Sequence, residues 1–201
     1  AVLEGYQVAI FDDGLQDLSI KYDLKVVCFN NLNWIGNGFT IPSGPLRENI
    51  NNINFYDNIF LNGNNENLTY IKDKLKKINP QVDINQGQYI PLEIDNFDKS
   101  QRYLAFSGIG NHRTFINMLK NNNFKIINDL EYPDHYQYSN NDIKKIRHEA
   151  KKFNAQIITT EKDYLRMHSL KKNGINFIKS SLQILDEKKL IKTLMILNEK
   201  I

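Results

Sequence analysis

Short apolar runs separated by amphipathic stretches set the organisation of this chain. Tyr6 to Phe11 reads as a short buried strand halted by Asp12-Asp13-Gly14, Lys25 to Phe29 as a second strand, and Asn58 to Leu61 as a third. Leu68, Ile71, Leu75 and Ile78 recur at steps of three and four. They predict an amphipathic helix that stops before Pro80. Gln81 to Ser100 has weak periodicity and turn residues, and reads as a connector with one or two extended pieces.

The second half is more regular. Tyr103 to Phe106 predicts a strand, followed by the tight turn Ser107-Gly108-Ile109-Gly110. Asn111 is placed to cap a helix carrying Phe115, Met118 and Leu119. Phe124 to Ile127 is a strand. Ser139 with Asp142 three residues on resembles a capping box, opening a helix that buries Ile143, Ile146, Ala150 and Phe153. Gln156 to Thr159 and Ile175 to Ile178 are further strands. Asp186 starts a last helix with Leu190, Leu194, Leu197 and Ile201 inward. Alternating strands and helices specify an α/β fold, a mostly parallel sheet with helices on its faces. Ligands of such sheets bind at the carboxyl ends of strands, so the chemistry should follow strands. The divisions expected are 1–80, a connector 81–100, and a smaller α/β unit 101–201.

Composition narrows the partners. The net charge of +3 over 201 residues is too mild and too interspersed for a dedicated nucleic-acid binder. The single cysteine, Cys28, excludes an internal disulfide and reads as a small buried hydrophobe. No stretch reaches the ~18–20 apolar residues of a membrane helix.

Four segments carry candidate chemistry. In Val8-Ala9-Ile10-Phe11-Asp12-Asp13-Gly14 an apolar run ends in two carboxylates, a Walker-B-like pattern that would put Asp12 and Asp13 at the ligand edge, where they could hold Mg²⁺. The same pair also closes ordinary turns. Gln16 follows at a spacing that turns its amide back toward that edge. Residues 36–48 contain three glycines and two prolines and end in Arg47-Glu48. That composition forces a shaped loop, and arginine supplies a fixed fork of donors for phosphate. Trp34 and Phe39 read as packing aromatics. In Tyr132-Pro133-Asp134-His135-Tyr136-Gln137-Tyr138, a carboxylate beside an imidazole suits proton transfer, though a capped turn before Ser139 explains it too. His112, His148 and His168 read as solvated or capping residues. Finally, Ile158-Thr159-Thr160-Glu161-Lys162-Asp163 is a strand running into polar groups that could meet phosphate, or an ordinary helix start capped by Thr160.

Together these pieces resemble the tetraacyldisaccharide 4'-kinases of lipid A synthesis over residues 6–168. The matching segments are Asp12-Asp13-Gly14-Leu15-Gln16, Gly36-Asn37-Gly38 with Pro42-Ser43-Gly44-Pro45-Leu46-Arg47-Glu48, Phe106-Ser107-Gly108-Ile109-Gly110-Asn111, Pro133-Asp134-His135 with Tyr138, and Thr159-Thr160-Glu161-Lys162-Asp163. The resemblance implies a P-loop-kinase-like sheet, present in part, followed by the smaller α/β unit. It implies transfer of the γ-phosphate of ATP, with Mg²⁺, to the 4' hydroxyl of a glucosamine disaccharide 1-phosphate. The glycolipid acceptor implies peripheral contact at the cytoplasmic face of the bacterial inner membrane, with no nucleic-acid partner. It assigns Asp12 and Asp13 to the metal, Gln16 to the metal or nucleotide, Arg47 to phosphate charge, and Glu48 to shaping the site. It assigns His135, with Asp134 beside it, to assisting the catalytic carboxylate. Leu15 and Asp17 depart from the family, which often carries an aromatic and a basic or amide residue there.

A Gly-x-x-x-x-Gly-Lys-[Ser/Thr] loop does not occur in these residues. The expectation is that it lies upstream, with the acidic base and a membrane-contacting helix, and that residues 1–201 alone transfer no phosphate. Two alternatives stand beside this reading: a non-catalytic α/β module that binds glycolipid or nucleotide, and a Mg²⁺-dependent phosphohydrolase built on Asp12 and Asp13.

Overall fold

The computed structural model describes residues 4–63, 68–169 and 172–198. They form two four-stranded sheets. The first contains β1 (Val26–Asn30), β2 (Asn58–Asn62) and β3 (Asp83–Pro91), mutually parallel, with α1 (Leu68–Ile78) crossing from β2 to β3. Ile59 and Leu61 of β2 face Ile71 and Leu75 of α1 in one core, with Ile53 and Val82. The helical period and the Pro80 stop produce this helix as predicted.

The second sheet is parallel throughout, in the order β5-β4-β6-β7. Its strands are β4 (Arg102–Ser107), β5 (Lys125–Glu131), β6 (Gln156–Thr160) and β7 (Ile175–Ile178). Helices α2 (His112–Asn121) and α3 (Asn140–Lys152) cover opposite faces, and α4 (Glu161–Arg166) leaves β6 directly. Central β4 alternates its side chains between two cores. Tyr103 and Ala105 meet Phe115, Met118 and Leu119 of α2. Leu104 and Phe106 meet Ile143, Ile146 and Ala150 of α3. A strand buried on both faces reads as a continuous apolar run, which is why Tyr103-Leu104-Ala105-Phe106 is legible. The caps also form as predicted. Asn111 accepts from Thr114 N–H, and Ser139 and Asp142 complete a capping box.

Four expectations are corrected. Tyr6 to Phe11 is not a strand; it has no regular structure, and Ile10 is 92 % exposed. A buried parallel strand needs neighbours on its edges, and among the described residues β1 pairs only with β2. The segment 81–100 is more than a connector: β3 is nine residues long and sits inside the first sheet. Its apolar alternation is weak because the buried Asn85 replaces an aliphatic side chain and donates to Asn58 Oδ1. Strand β8 (Ser180–Ile184) returns to pair antiparallel with β3, so the chain beyond residue 101 belongs to both sheets. Cys28 is exposed, because it lies on edge strand β1. Protein around it still desolvates the thiol, and this, followed by the charge of Asp12, pushes its pKa up. The last helix, α5 (Glu187–Asn198), leaves Leu194 48 % exposed rather than inward. The inward orientation expected for Leu197 and Ile201 lies outside the described side chains.

Candidate functional site

Two polar clusters stand beyond the carboxyl ends of the two sheets. The first joins the turn at Asp12-Asp13 to the loop after β1. Asp13 adopts the left-handed region at φ 58°, a conformation aspartate tolerates better than most residues. Arg47 Nη1 donates to Asp13 Oδ1, forming an ion pair, and lies 3.5 Å from Gln16 Oε1. Gln16 Nε2 donates to Glu48 Oε1 at 3.1 Å. Asp13, Gln16, Arg47 and Glu48 therefore form one connected group, across sequence separations of more than thirty residues. Asp12 is exposed beside them and lies near Cys28.

The loop that delivers Arg47 is shaped by its own hydrogen bonds. Leu46 N–H donates to Phe39 O, Ile41 N–H to Leu46 O, and Asn37 Nδ2 to Ser43 O at 2.7 Å. Gly44 passes so close that a Cβ there would strike Asn37 Oδ1 and the Phe39 carbonyl. Trp34 packs on Phe29 at 5.0 Å, as a packing aromatic should, whereas Phe39 is 63 % exposed.

Glu48 anchors the loop's far end. It accepts from Asn52 Nδ2 at 2.9 Å and from Tyr56 O–H at 2.8 Å, as well as from Gln16. Hydrogen bonding, led by Asn52, holds its carboxyl below the ordinary glutamate range. Tyr56 is pushed up to about 12, first by desolvation and then by the Glu48 carboxylate it binds. Glu48 is thus a fixed anion with its donors in place. The Arg47–Asp13 pair is different, with both side chains more than half exposed. Such a pair contributes only about 0–1 kcal/mol to stability, so an incoming anion can displace Asp13 from Arg47 at small cost.

The second cluster surrounds Asp134 and His135, in the loop between β5 and α3. His135 also lies in the left-handed region, at φ 59°. Its backbone N–H is held by Gly108 O at 3.1 Å and Asp134 Oδ1 at 2.9 Å. Its side chain is 81 % exposed, with Nε2 3.9 Å from Asp134 Oδ2. Gly108 fits between Pro133 O and Tyr136 Cβ, each 3.0 Å from where a Cβ would stand. Beneath the loop lies Asp163, completely buried. It accepts from Gly108 N–H, Tyr138 O–H and Thr160 O–H at 3.0, 3.0 and 2.6 Å. Burial, followed by the Asp163 charge, pushes the Tyr138 phenol up. Thr160 caps α4 as an ordinary helix start would.

Among the described residues no hydrogen bond or ion pair joins the two clusters directly. The end of β1 does meet the first turn of α2, where Asn30 Nδ2 donates to Thr114 Oγ1 at 3.2 Å.

Sequence reasoning missed several residues. His112 is not solvated but buried, between Ser107 Oγ at 2.7 Å and Asp129 Oδ2 at 2.8 Å. Its place one residue after a helix cap and five after a buried strand end was the available signal. The helix start expected at Thr160 forms, and its acidic first turn contains Asp163, which is completely buried. Arg166, one turn of helix further, was overlooked. His148 and His168 are exposed as expected.

Comparison with known proteins follows the same segments. The sequence profile of the family described as tetraacyldisaccharide-1-P 4'-kinase matches residues 1–198. A tetraacyldisaccharide 4'-kinase of Pelagibacter ubique is 68 % identical over 200 residues, covering 100 % of this chain and 64 % of that protein. The enzyme of the same name from Rickettsia canadensis is 37 % identical over 198 residues, covering 96 % of this chain and 56 % of that one. This chain thus spans 56–64 % of these relatives' length, less than two-thirds of each. A crystal structure titled as the "apo" form of LpxK from Aquifex aeolicus in complex with ATP shares the fold, with a TM-score of 0.56 and 20 % identity. It covers 92 % of this chain and 56 % of that one. The chain belongs to the tetraacyldisaccharide-1-P 4'-kinase family.

Proposed function

We propose that this chain is part of an enzyme that transfers the γ-phosphate of ATP to the 4' hydroxyl of a tetraacyl glucosamine disaccharide 1-phosphate. The observation that carries the reading is the connected group Asp13–Arg47–Gln16–Glu48 beyond β1. It offers a displaceable guanidinium for phosphate charge beside a carboxylate pair suited to a hard cation. Phosphoryl transfer asks for such positioning and charge stabilisation more than for covalent chemistry from the protein.

Arg47 meets the phosphates through its fork of donors. Glu48, held by Asn52 and Tyr56 on one oxygen, accepts Gln16 on the other and keeps it and the loop in register. Asp12 and Asp13, with the Walker-B role, fit Mg²⁺. They are exposed oxygen donors, and Mg²⁺ commonly binds through one or two carboxylates together with substrate phosphates and water. When bound, the ion would neutralise phosphate charge. His135, with Asp134 beside it, assists the carboxylate that takes the acceptor's proton.

A glycolipid acceptor places the work at a membrane surface, by peripheral contact at the cytoplasmic face of the bacterial inner membrane. No described helix is long and apolar enough to cross a membrane.

The test uses the intact protein that carries this chain, with γ-labelled ATP and the tetraacyl disaccharide 1-phosphate. ATP-dependent label in the lipid is expected. Asp13→Asn and Arg47→Ala should each lower kcat by on the order of 10²-fold or more while the fold persists. His135→Ala should lower it by roughly 10²–10⁴-fold. No transfer by the intact protein, or full turnover in all three variants, rejects the reading.

A further inference from the structure

We propose that Arg166 is a positioning residue for His135, holding its imidazole in the tautomer with the proton on Nε2. Arg166 Nη2 lies 3.3 Å from His135 Nδ1. A guanidinium has donors only, so Nδ1 must be the accepting, unprotonated nitrogen. The ring proton is then on Nε2, the nitrogen that faces Asp134 Oδ2 and solvent. This is the tautomer a carboxylate-assisting histidine needs. The other tautomer would set N–H against N–H at the guanidinium and turn a lone pair toward a carboxylate.

Arg166 is itself immobilised. Its Nη1 donates to Gly108 O at 2.8 Å, and it lies 3.5 Å from the buried carboxylate of Asp163, with its side chain only 20 % exposed. Gly108 O also accepts the backbone N–H of His135. One carbonyl therefore fixes both the guanidinium and the backbone that carries the ring. Asp163 holds the opposite side of the same turn through Gly108 N–H. The chain Asp163–Arg166–His135 runs from the protein interior to an exposed imidazole. An orienting partner on the second ring nitrogen is the usual way a working histidine keeps its tautomer.

Arg166 matters to turnover only through the role proposed above for His135, so the experiment reads the two separately. In the intact protein with ¹⁵N-labelled histidine, the His135 resonances are assigned by their loss in His135→Ala. Wild type should show unprotonated Nδ1 and protonated Nε2. Arg166→Met should release the ring into mixed tautomers and lower kcat about tenfold or more, with KM for ATP changed by less than about twofold. Arg166→Lys still donates to Nδ1 and should restore the tautomer and part of kcat, which a general loss of packing would not allow. A protonated Nδ1 in wild type overturns the proposal. So does an unchanged tautomer with unchanged kcat in Arg166→Met. Full turnover in His135→Ala would instead refute the role of His135. Because the tautomer signal does not depend on turnover, that failure is told apart from failure of the Arg166–His135 link.

Discussion

Replacing Asp163 separates hydrogen bonding from charge beneath the second cluster. Its carboxylate is inaccessible to water, and Oδ1 accepts both Gly108 N–H and Tyr138 O–H. Asp163→Ala leaves those two buried donors unpaired, at about 1–3 kcal/mol each, and strips Arg166 of its counter-charge. A loss of about 3–5 kcal/mol is the result, in the range for breaking a buried pair. For a protein of this size that is on the order of 10 °C in Tm. Asp163→Asn is nearly isosteric. Its oxygen keeps both donors, and its amide donates to Thr160 Oγ1 where Oδ2 had accepted. Only the charge interaction with Arg166 is lost, so the cost falls to about 1–2 kcal/mol. Urea unfolding followed by circular dichroism, compared at constant slope, measures both. An Asn variant as unstable as the Ala variant would show that charge, not hydrogen bonding, carries the site. An Ala variant within about 1 kcal/mol of wild type would refute the network altogether.

Other outcomes follow from the same geometry. Glu48 titrates below its ordinary value of 4.5 in the fold, so its stabilising contribution is complete above that pH and disappears as pH falls through its folded value. The stability difference between wild type and Glu48→Gln should therefore shrink in acid titrations below about 4.5; a constant difference down to pH 2 contradicts the assignment. Tyr56 has the opposite sign: its contribution is complete below 10 and lost as pH rises toward about 12, which Tyr56→Phe should abolish in alkaline titration. Gly44→Ala should force open the loop that carries Arg47, speeding proteolytic cleavage within residues 36–48 and lowering turnover; unchanged cleavage and turnover count against the close approach at Gly44. Ser139→Ala should cost about 1 kcal/mol in urea unfolding by removing the cap of α3, and no loss would mean that Asp142 alone sustains that helix start.

Local rules carried much of the reading. Strands β1, β2, β4, β6 and β7 follow from short apolar runs, and α1 to α3 from a period of three and four, with recognisable caps at Asn111 for α2 and Ser139 for α3. These features were legible because each depends on residues a few positions apart. Motif content identified Asp13, Gln16, Arg47, Glu48 and His135 as candidates by resemblance. It could not say that Arg47 pairs with Asp13, or that Glu48 is held by Asn52 and Tyr56.

Pairings over long separations belong to the tertiary structure. Strand β8 joins β3 across about ninety residues, and its side chains mostly face solvent, so no apolar alternation announces it. Strand β3 is central yet rich in Asn, Gln and Gly; at its buried position 85 an asparagine donating to Asn58 Oδ1 stands where an aliphatic side chain would be expected. Tyr6 to Phe11 has the composition of a buried strand but no paired neighbour among the described residues. Apolar composition makes a strand possible, while a hydrogen-bonded partner makes it form. The same distinction separates His112 from His135. Both stand near helix starts in the sequence, and only packing buries one between Ser107 and Asp129 and leaves the other exposed beside Arg166.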